Sequence, residues 1–363
     1  MQKIFLAALL LTAGSLPAQA QEVTLGAVLP LSGASATIGG DQRRGIELAV
    51  EQVNADGGVL GGDLRVIVED SGGRPPSALD AAKKLVTVDK VPVVLGEFSS
   101  GNTIPIGQYV TQEGRVHINF GSSSGLVRSL GEGSFSTIGL DNVSAKFAAE
   151  DVFANGWKTA AVIMPNNAFG QSSAAEFEKA FTALGGSVTT TILYTEGQTT
   201  YRRELQQMER SRPDVYVYTA YGREAATITR EAAELGLNET PWYGAYLSMM
   251  FTDSDPRFME GQAGFDVNYV GPDGAAYETL YREKYGEPFI SAYNGYVYDG
   301  VMLVAEAINK AGSAEPAAII KAIKEIGPTY EGVTGTINLD ADGQRSTQPY
   351  ARVKIEDGEL KSR

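Results

Sequence analysis

The sequence predicts an α/β fold of two doubly wound lobes with parallel sheets, joined by a multi-strand hinge. Three observations carry this. Short apolar, β-branched runs alternate with amphipathic helical stretches, the sign of parallel strands covered on both faces. The alternation runs through twice, restarting after Asp141. The 363 residues also exceed, by about twofold, the roughly 150 of a single domain.

Taken in order, Val23 to Leu29 is a strand, and Asp41 to Val53 carries Ile46, Val50 and Val53 at helical spacing. Leu64 to Glu69, Pro92 to Gly96 and Val116 to Phe120 are further strands, with helices at Ala78 to Asp89 and Asn102 to Glu113. The second series has helix Val143 to Asn155, strand Thr159 to Met164, helix Gly170 to Leu184 and strand Val188 to Tyr194. Helix Tyr201 to Arg210, strand Val215 to Thr219, helix Glu224 to Leu235 and strand Pro241 to Gly244 complete it. Three helices then follow in succession: Gly274 to Tyr285, Ser291 to Ala311 and Pro316 to Ile326. Thr336 to Leu339 and Tyr350 to Ile355 read as strands around the turn Asp342-Gly343. Helices without intervening strands complete an earlier layer, so the chain is expected to return to the first lobe and then cross again. That gives residues 21–139 with 272–337 as lobe 1, and 140–271 with 338–363 as lobe 2.

Residues 1–20, MQKIFLAALLLTAGSLPAQA, have a positive start at Lys3, a short apolar run and a small-x-small end at Ala18-Gln19-Ala20. This is the pattern of a cleavable secretory signal, and the run is short of the about 20 residues of a membrane span. Absence of cysteine excludes disulfides, thiolate metal sites and a lipid-modified N-terminal cysteine. A single histidine excludes a multi-histidine metal site, so neither a metal nor a cofactor is expected. The net charge of −14 makes nucleic acid a poor partner.

Ligands of open parallel sheets bind beyond the C-terminal strand ends. Two loops there are rich in hydroxyls: Gly96 to Thr103, and Gly121-Ser122-Ser123-Ser124-Gly125. Serines beside a helix N-terminus suit an anion such as a carboxylate. From the second series, Pro165 to Gly170 and Ala220-Tyr221-Gly222 offer aromatic cover. Gly121 to Gly125 also fits Gly-x-Ser-x-Gly, but His117, on the preceding strand, is in the wrong place to serve a hydrolase nucleophile. Gly57 to Gly62 lacks the Lys-Ser/Thr of a phosphate loop and reads as a tight turn. The Asp253, Asp255 and Asp340, Asp342 pairs lack the loop pattern of a calcium site.

The order of Gly26 to Gly33, Asn54 to Gly58, Ala81 to Val86, Gly96 to Gly101, Ser122-Ser123 and Tyr298 to Val301 resembles the Leu/Ile/Val-binding family. These are the periplasmic solute-binding components of ABC importers, with the type I periplasmic-binding fold. The resemblance implies a periplasmic, unanchored, non-catalytic receptor, expected to be monomeric. It implies closure on a small carboxylate, an amino acid of branched or aromatic type, and delivery to an inner-membrane permease and ATPase. A ligand-sensing module is the alternative role. The family's carboxylate-binding serine falls on Ser100, and its next loop, with a carbonyl, a hydroxyl and an N–H, falls on Gly121, Ser122 and Ser123. The covering aromatics fall on Phe169 and Tyr221. Two positions depart from the pattern: the amine-binding acid falls on Tyr246, and a pocket tryptophan on Ile38. Either another carboxylate serves, with Glu97, Asp141 and Glu224 as candidates, or the ligand is an amine-free aromatic or aliphatic acid.

Overall fold

The computed structural model describes residues 22–268, 271, 273–291 and 293–363; the signal-like residues 1–20 lie outside them. The first five strands are β1 (Val23–Leu29), β2 (Leu64–Asp70), β3 (Val93–Leu95), β4 (Val116–Asn119) and β5 (Ser134–Ser136). Between and after them lie α1 (Ala36–Ala55), α2 (Pro75–Thr87), α3 (Ser100–Gln112) and α4 (Asp141–Ala154). Strands β1 to β5 form one parallel sheet in the order β2-β1-β3-β4-β5.

The pattern then repeats with β6 (Thr159–Pro165), α5 (Ala168–Ala183), β7 (Ser187–Tyr194), α6 (Arg202–Arg210), β8 (Val215–Tyr218) and α7 (Gly222–Glu234). It continues through β9 (Trp242–Ala245), α8 (Leu247–Phe251) and β10 (Ala263–Val267). The tail holds α9 (Gly274–Tyr285), α10 (Asn294–Ala311), α11 (Pro316–Ile326), the two-residue strands β11 (Glu331–Gly332) and β12 (Gly335–Thr336), β13 (Tyr350–Glu356) and β14 (Glu359–Ser362). The second sheet runs β14-β13-β10-β9-β8-β6-β7, parallel from β10 to β7 and antiparallel at β13 and β14. Both sheets thus share one winding, with the order reversing between β1 and β3 and between β6 and β8. Clefts open at such reversals because the two adjoining loops leave toward opposite faces.

Several expectations need correction. Helix α1 begins at Ala36 rather than Asp41, so Ile38 lies in its first turn and packs in the core at 1% exposure. The segment 336–339 is not a strand partner of β13: β12 pairs with β11, while β13 pairs with β10 and β14. Strands β5, β10 and β14 and helix α8 were not foreseen. The glycine run 57–62 is the expected turn, closed by reciprocal backbone bonds between Val59 and Gly62.

The tail sews the molecule together. Helix α10 packs along α1. Asp41 of α1 accepts hydrogen bonds from Tyr281 of α9, from Ser291 and from Asn294. Strands β13 and β14 then join the second sheet. At the crossing, the fully buried Arg345 donates to the carbonyls of Thr137, Thr334, Thr336 and Thr347, and to Thr334 Oγ. Asp299, also buried, accepts from the N–H groups of Val333 and Thr334 and from Thr334 Oγ. Thr334 therefore bridges a buried cation and a buried acid where the strands cross.

Candidate functional site

Two loops of the first sheet and two helix N-termini of the second meet across one cavity. It has a volume of about 10 Å³ and is lined by Phe98, Ser100, Gly121, Ser123, Phe169, Tyr221, Met249 and Tyr293. That is below the roughly 300 Å³ at which small-molecule pockets usually begin. The two sides touch where the Phe98 ring meets Tyr221 edge-on at 5.8 Å, while Tyr293, at the start of α10, packs on Phe98 from its own side at 5.0 Å.

Five sequence-derived residues, Ser100, Gly121, Ser123, Phe169 and Tyr221, line this space together. Ser100 opens α3, where the first N–H groups of the helix lack intrahelical acceptors and present a partial positive charge. Ser122 stands one bond behind, its Oγ donating to Ser100 Oγ at 2.7 Å. The turn that places it is locked by Asn119, whose Oδ1 accepts from Ser122 N at 2.9 Å and whose Nδ2 donates to Ser122 O at 2.7 Å. Gly121 must be glycine: a Cβ there would fall 2.6 Å from the Phe98 Cα, so no larger residue lets the two loops approach so closely.

On the other side, Phe169 lies in the first turn of α5. Asn167 caps that helix, its Oδ1 accepting from Gly170 N at 3.0 Å, and its Nδ2 reaches Tyr221 Oη at 3.3 Å. Tyr221 precedes α7, and its ring lies 6.2 Å from that of Phe169. The next residue, Gly222, has φ +37°, and a Cβ there would come 2.7 Å from Ala34 O of the first lobe.

Three expected residues do not line the cavity: Ser122, which stands behind Ser100, Ile38 and Tyr246. Ile38 is core, as described. Tyr246 sits at 1% exposure with φ +60°, its ring packed against Phe265, Tyr293 and Tyr350 at 4.8, 6.0 and 6.2 Å. Sequence reasoning missed three lining residues. Phe98 lies inside the first serine loop and was passed over beside its hydroxyls. Met249 and Tyr293 come from α8 and the start of α10, and no local pattern ties them to the serine loops.

The three candidate acids differ in their engagements. Glu97 is bound by Asn102 Nδ2 and Ser99 N close by in the chain and by Ser71 Oγ from the end of β2. Glu224 accepts from Gly197 N at 2.6 Å, and partial burial pushes it up to about 6. Asp141 accepts from Ser123 Oγ at 2.6 Å. Of the three carboxylates, it alone is bonded to a side chain of the cavity wall. Burial pushes Asp141 up to about 7, against the smaller opposing effects of Ser123 and Ser172.

The remaining candidates have structural partners. His117 is bonded through both ring nitrogens, Nε2 to Gly96 O at 2.6 Å and Nδ1 to Ser134 Oγ at 2.9 Å, and burial lowers it to about 4. A carbonyl accepts only, so Nε2 carries the proton. Asp340 and Asp342 hold Arg128 at 2.8 and 3.1 Å, and Asp255 pairs with Arg257. The described residues contain no group of three or more metal-ligating side chains. A larger groove, of about 720 Å³, lies beside α8, β13, β14 and residues 288–291, and none of the sequence-derived site residues lines it.

Two mirrored α/β lobes closing a serine-and-aromatic cleft define a type I periplasmic-binding architecture. The chain belongs to the periplasmic binding protein family, whose model matches residues 22–359. It is similar to a Leu/Ile/Val-binding protein homolog of Brucella abortus, 28% identical over 347 residues, covering 93% of this chain and 91% of that one. In fold it is similar to the branched-chain amino acid transporter substrate-binding protein LivJ of Streptococcus pneumoniae, solved with isoleucine. That likeness has TM-score 0.83 and 23% identity, covering 94% of this chain and 98% of that one. It is equally similar to a solute-binding protein of an ABC transporter from Rhodopseudomonas palustris, solved with 3,4-dihydroxybenzoic acid. Here the TM-score is 0.83 and the identity 22%, covering 93% and 95%. The family is one of solute-binding receptors, and membership implies a periplasmic location.

Proposed function

We propose that this chain captures a small carboxylate with an apolar body in the periplasm and hands it to an ABC permease and ATPase in the inner membrane. Residues 1–20 act as the export signal, and the mature chain works as an unanchored monomer. Residues 21–139 with 272–337 move as one lobe, and 140–271 with 338–363 as the other.

The observation that carries this reading is the cavity itself, with serine hydroxyls and the α3 N-terminus on one side and Phe169 and Tyr221 on the other. Each lobe holds part of the contacts, so only the closed form satisfies the whole ligand, and binding shifts the population toward closure. Ser100 and the α3 N–H groups take the carboxylate, while the rings cover the apolar body. All eight lining residues are uncharged, and Tyr246 replaces the acid expected for an amine. An amine-free aromatic acid is therefore the ligand class that fits best. A second reading, a branched or aromatic amino acid, is supported by Asp141 one bond behind Ser123 and by the Leu/Ile/Val-binding relatives.

A thermal-shift screen of amino acids, benzoate, hydroxylated benzoates and short aliphatic acids tests the reading. A ligand at 100 times its Kd stabilises by about 2.7 kcal/mol, a readily measured rise in melting temperature. If no carboxylate shifts the protein, the reading fails. If only amine-bearing acids do, the second reading replaces the first.

A further inference from the structure

The bond between Ser123 and Asp141 carries a consequence for what the cavity accepts. A serine hydroxyl has one proton to give. With Asp141 ionised, that proton is held by Asp141 Oδ1 at 2.6 Å, and Ser123 turns only lone pairs toward the cavity. A ligand carboxylate facing them meets repulsion. With Asp141 protonated, its own O–H donates to Ser123 Oγ, and the serine proton is free to donate to the ligand. We propose that Asp141 is a positioning residue that sets Ser123 as donor or acceptor, so that a carboxylate is bound together with one proton on Asp141. The inference rests on the carboxylate reading given above. The proton comes from solvent, and no other bond changes.

The surroundings of Asp141 support a proton there. The side chain is fully buried. Facing it from α5 are Ser172 and Glu176, the latter a second negative charge. Tyr221 at the head of α7, Tyr293 before α10 and Tyr350 of β13 lie within electrostatic reach, all held neutral by burial. No cation is among the described groups acting on it. Its place as first residue of α4 favours the ionised form, but burial outweighs this and pushes the group up to about 7.

The test is calorimetry on the full mature chain with benzoate and L-isoleucine, at pH 6 and pH 8, in buffers of different ionisation enthalpy. At pH 8 benzoate should bind with uptake of close to one proton, and its affinity should fall toward tenfold per pH unit above neutrality. Asp141→Asn, whose amide donates permanently to Ser123, should bind benzoate without uptake and with a flat pH profile. L-isoleucine, whose ammonium suits the lone pairs of Ser123, should bind without uptake. Should Asp141→Asn fail to fold, Ser123→Ala serves instead and should abolish the uptake. Benzoate binding at pH 8 without proton uptake, or an unchanged pH slope in the variant, overturns the proposal. If no acid binds at any pH, the functional reading fails instead. The Asp141 proposal is then decided by the carboxyl 13C titration of the ligand-free protein, where an ordinary carboxylate midpoint overturns it and a near-neutral one sustains it.

Discussion

The two lobes meet in two places, and they meet differently. At the hinge, Arg345, Asp299 and Thr334 tie strand crossings together through buried, directional hydrogen bonds, most of them to backbone. Across the cleft, Phe98 meets Tyr221 ring on ring, and Gly125 N donates to Ser172 Oγ in an exposed 3.2 Å bond. Breaking a buried hydrogen bond strands a desolvated group, which costs about 1–3 kcal/mol each. Parting two rings, or an exposed bond that water replaces, strands no buried polar group and is readily reversed. The hinge is therefore built to persist and the cleft to open.

The largest expected effect separates these two regions. Arg345→Ala leaves several buried carbonyls unpaired and Asp299 without its nearby cation, and should destabilise by about 3–5 kcal/mol, as loss of one partner of a buried pair does. Urea unfolding measures it, and a loss under 1 kcal/mol would mean that the crossings are held by something else. Next, Tyr221→Ala or Phe169→Ala should weaken ligand binding by about 2–4 kcal/mol, the range of an aromatic anchor at the centre of an interface. Both rings are buried, so the variants should also lose stability, and affinity is compared at a temperature where each remains folded. Calorimetry unchanged in both would put the ligand outside this cavity.

Ser100→Ala follows, with about 1–3 kcal/mol of lost affinity from an unpaired buried acceptor. The decisive result here is the contrast with Ser122→Ala, which removes only a supporting bond and should cost less. The last effect is gradual and is read in stability against pH. Asp141 is raised in the folded state, so the native protein binds the extra proton. Its contribution is present below about pH 4 and is lost as pH rises toward 7, by about 1.4 kcal/mol per unit. Urea midpoints of Asp141→Asn should lack this component between pH 4.5 and 7, and parallel slopes for the two proteins would remove it.

Much of the fold was legible because its strands are long and apolar. Val23 to Leu29 and Thr159 to Pro165 are buried on both faces along nearly their whole length, so composition betrays them. Strand β5, Ser134-Phe135-Ser136, is three residues with two hydroxyls, and β10 holds Gly264 and Asp266. These carry no apolar run, because their polar groups are satisfied by tertiary partners such as His117 for Ser134 and Ser248 for Asp266. The site divides in the same way. Ser100, Gly121, Ser123, Phe169 and Tyr221 follow strand ends, where the winding rule says to look. Met249 also follows a strand end, that of β9, but within a helix the sequence pattern does not announce, and Tyr293 follows no strand.

What the sequence determined by itself is local: periodicity set the strands and helices, their alternation set the parallel winding, and the winding set which loops face the cleft. What the tertiary structure decided is pairwise. It joined Ser123 to Asp141, buried Ile38 and Tyr246 instead of exposing them to the cavity, and brought Phe98 against Tyr221 across the lobes. Periodicity records which face of an element is buried. It does not record which distant side chain a buried group will meet, because that depends on how two independently wound sheets are brought together.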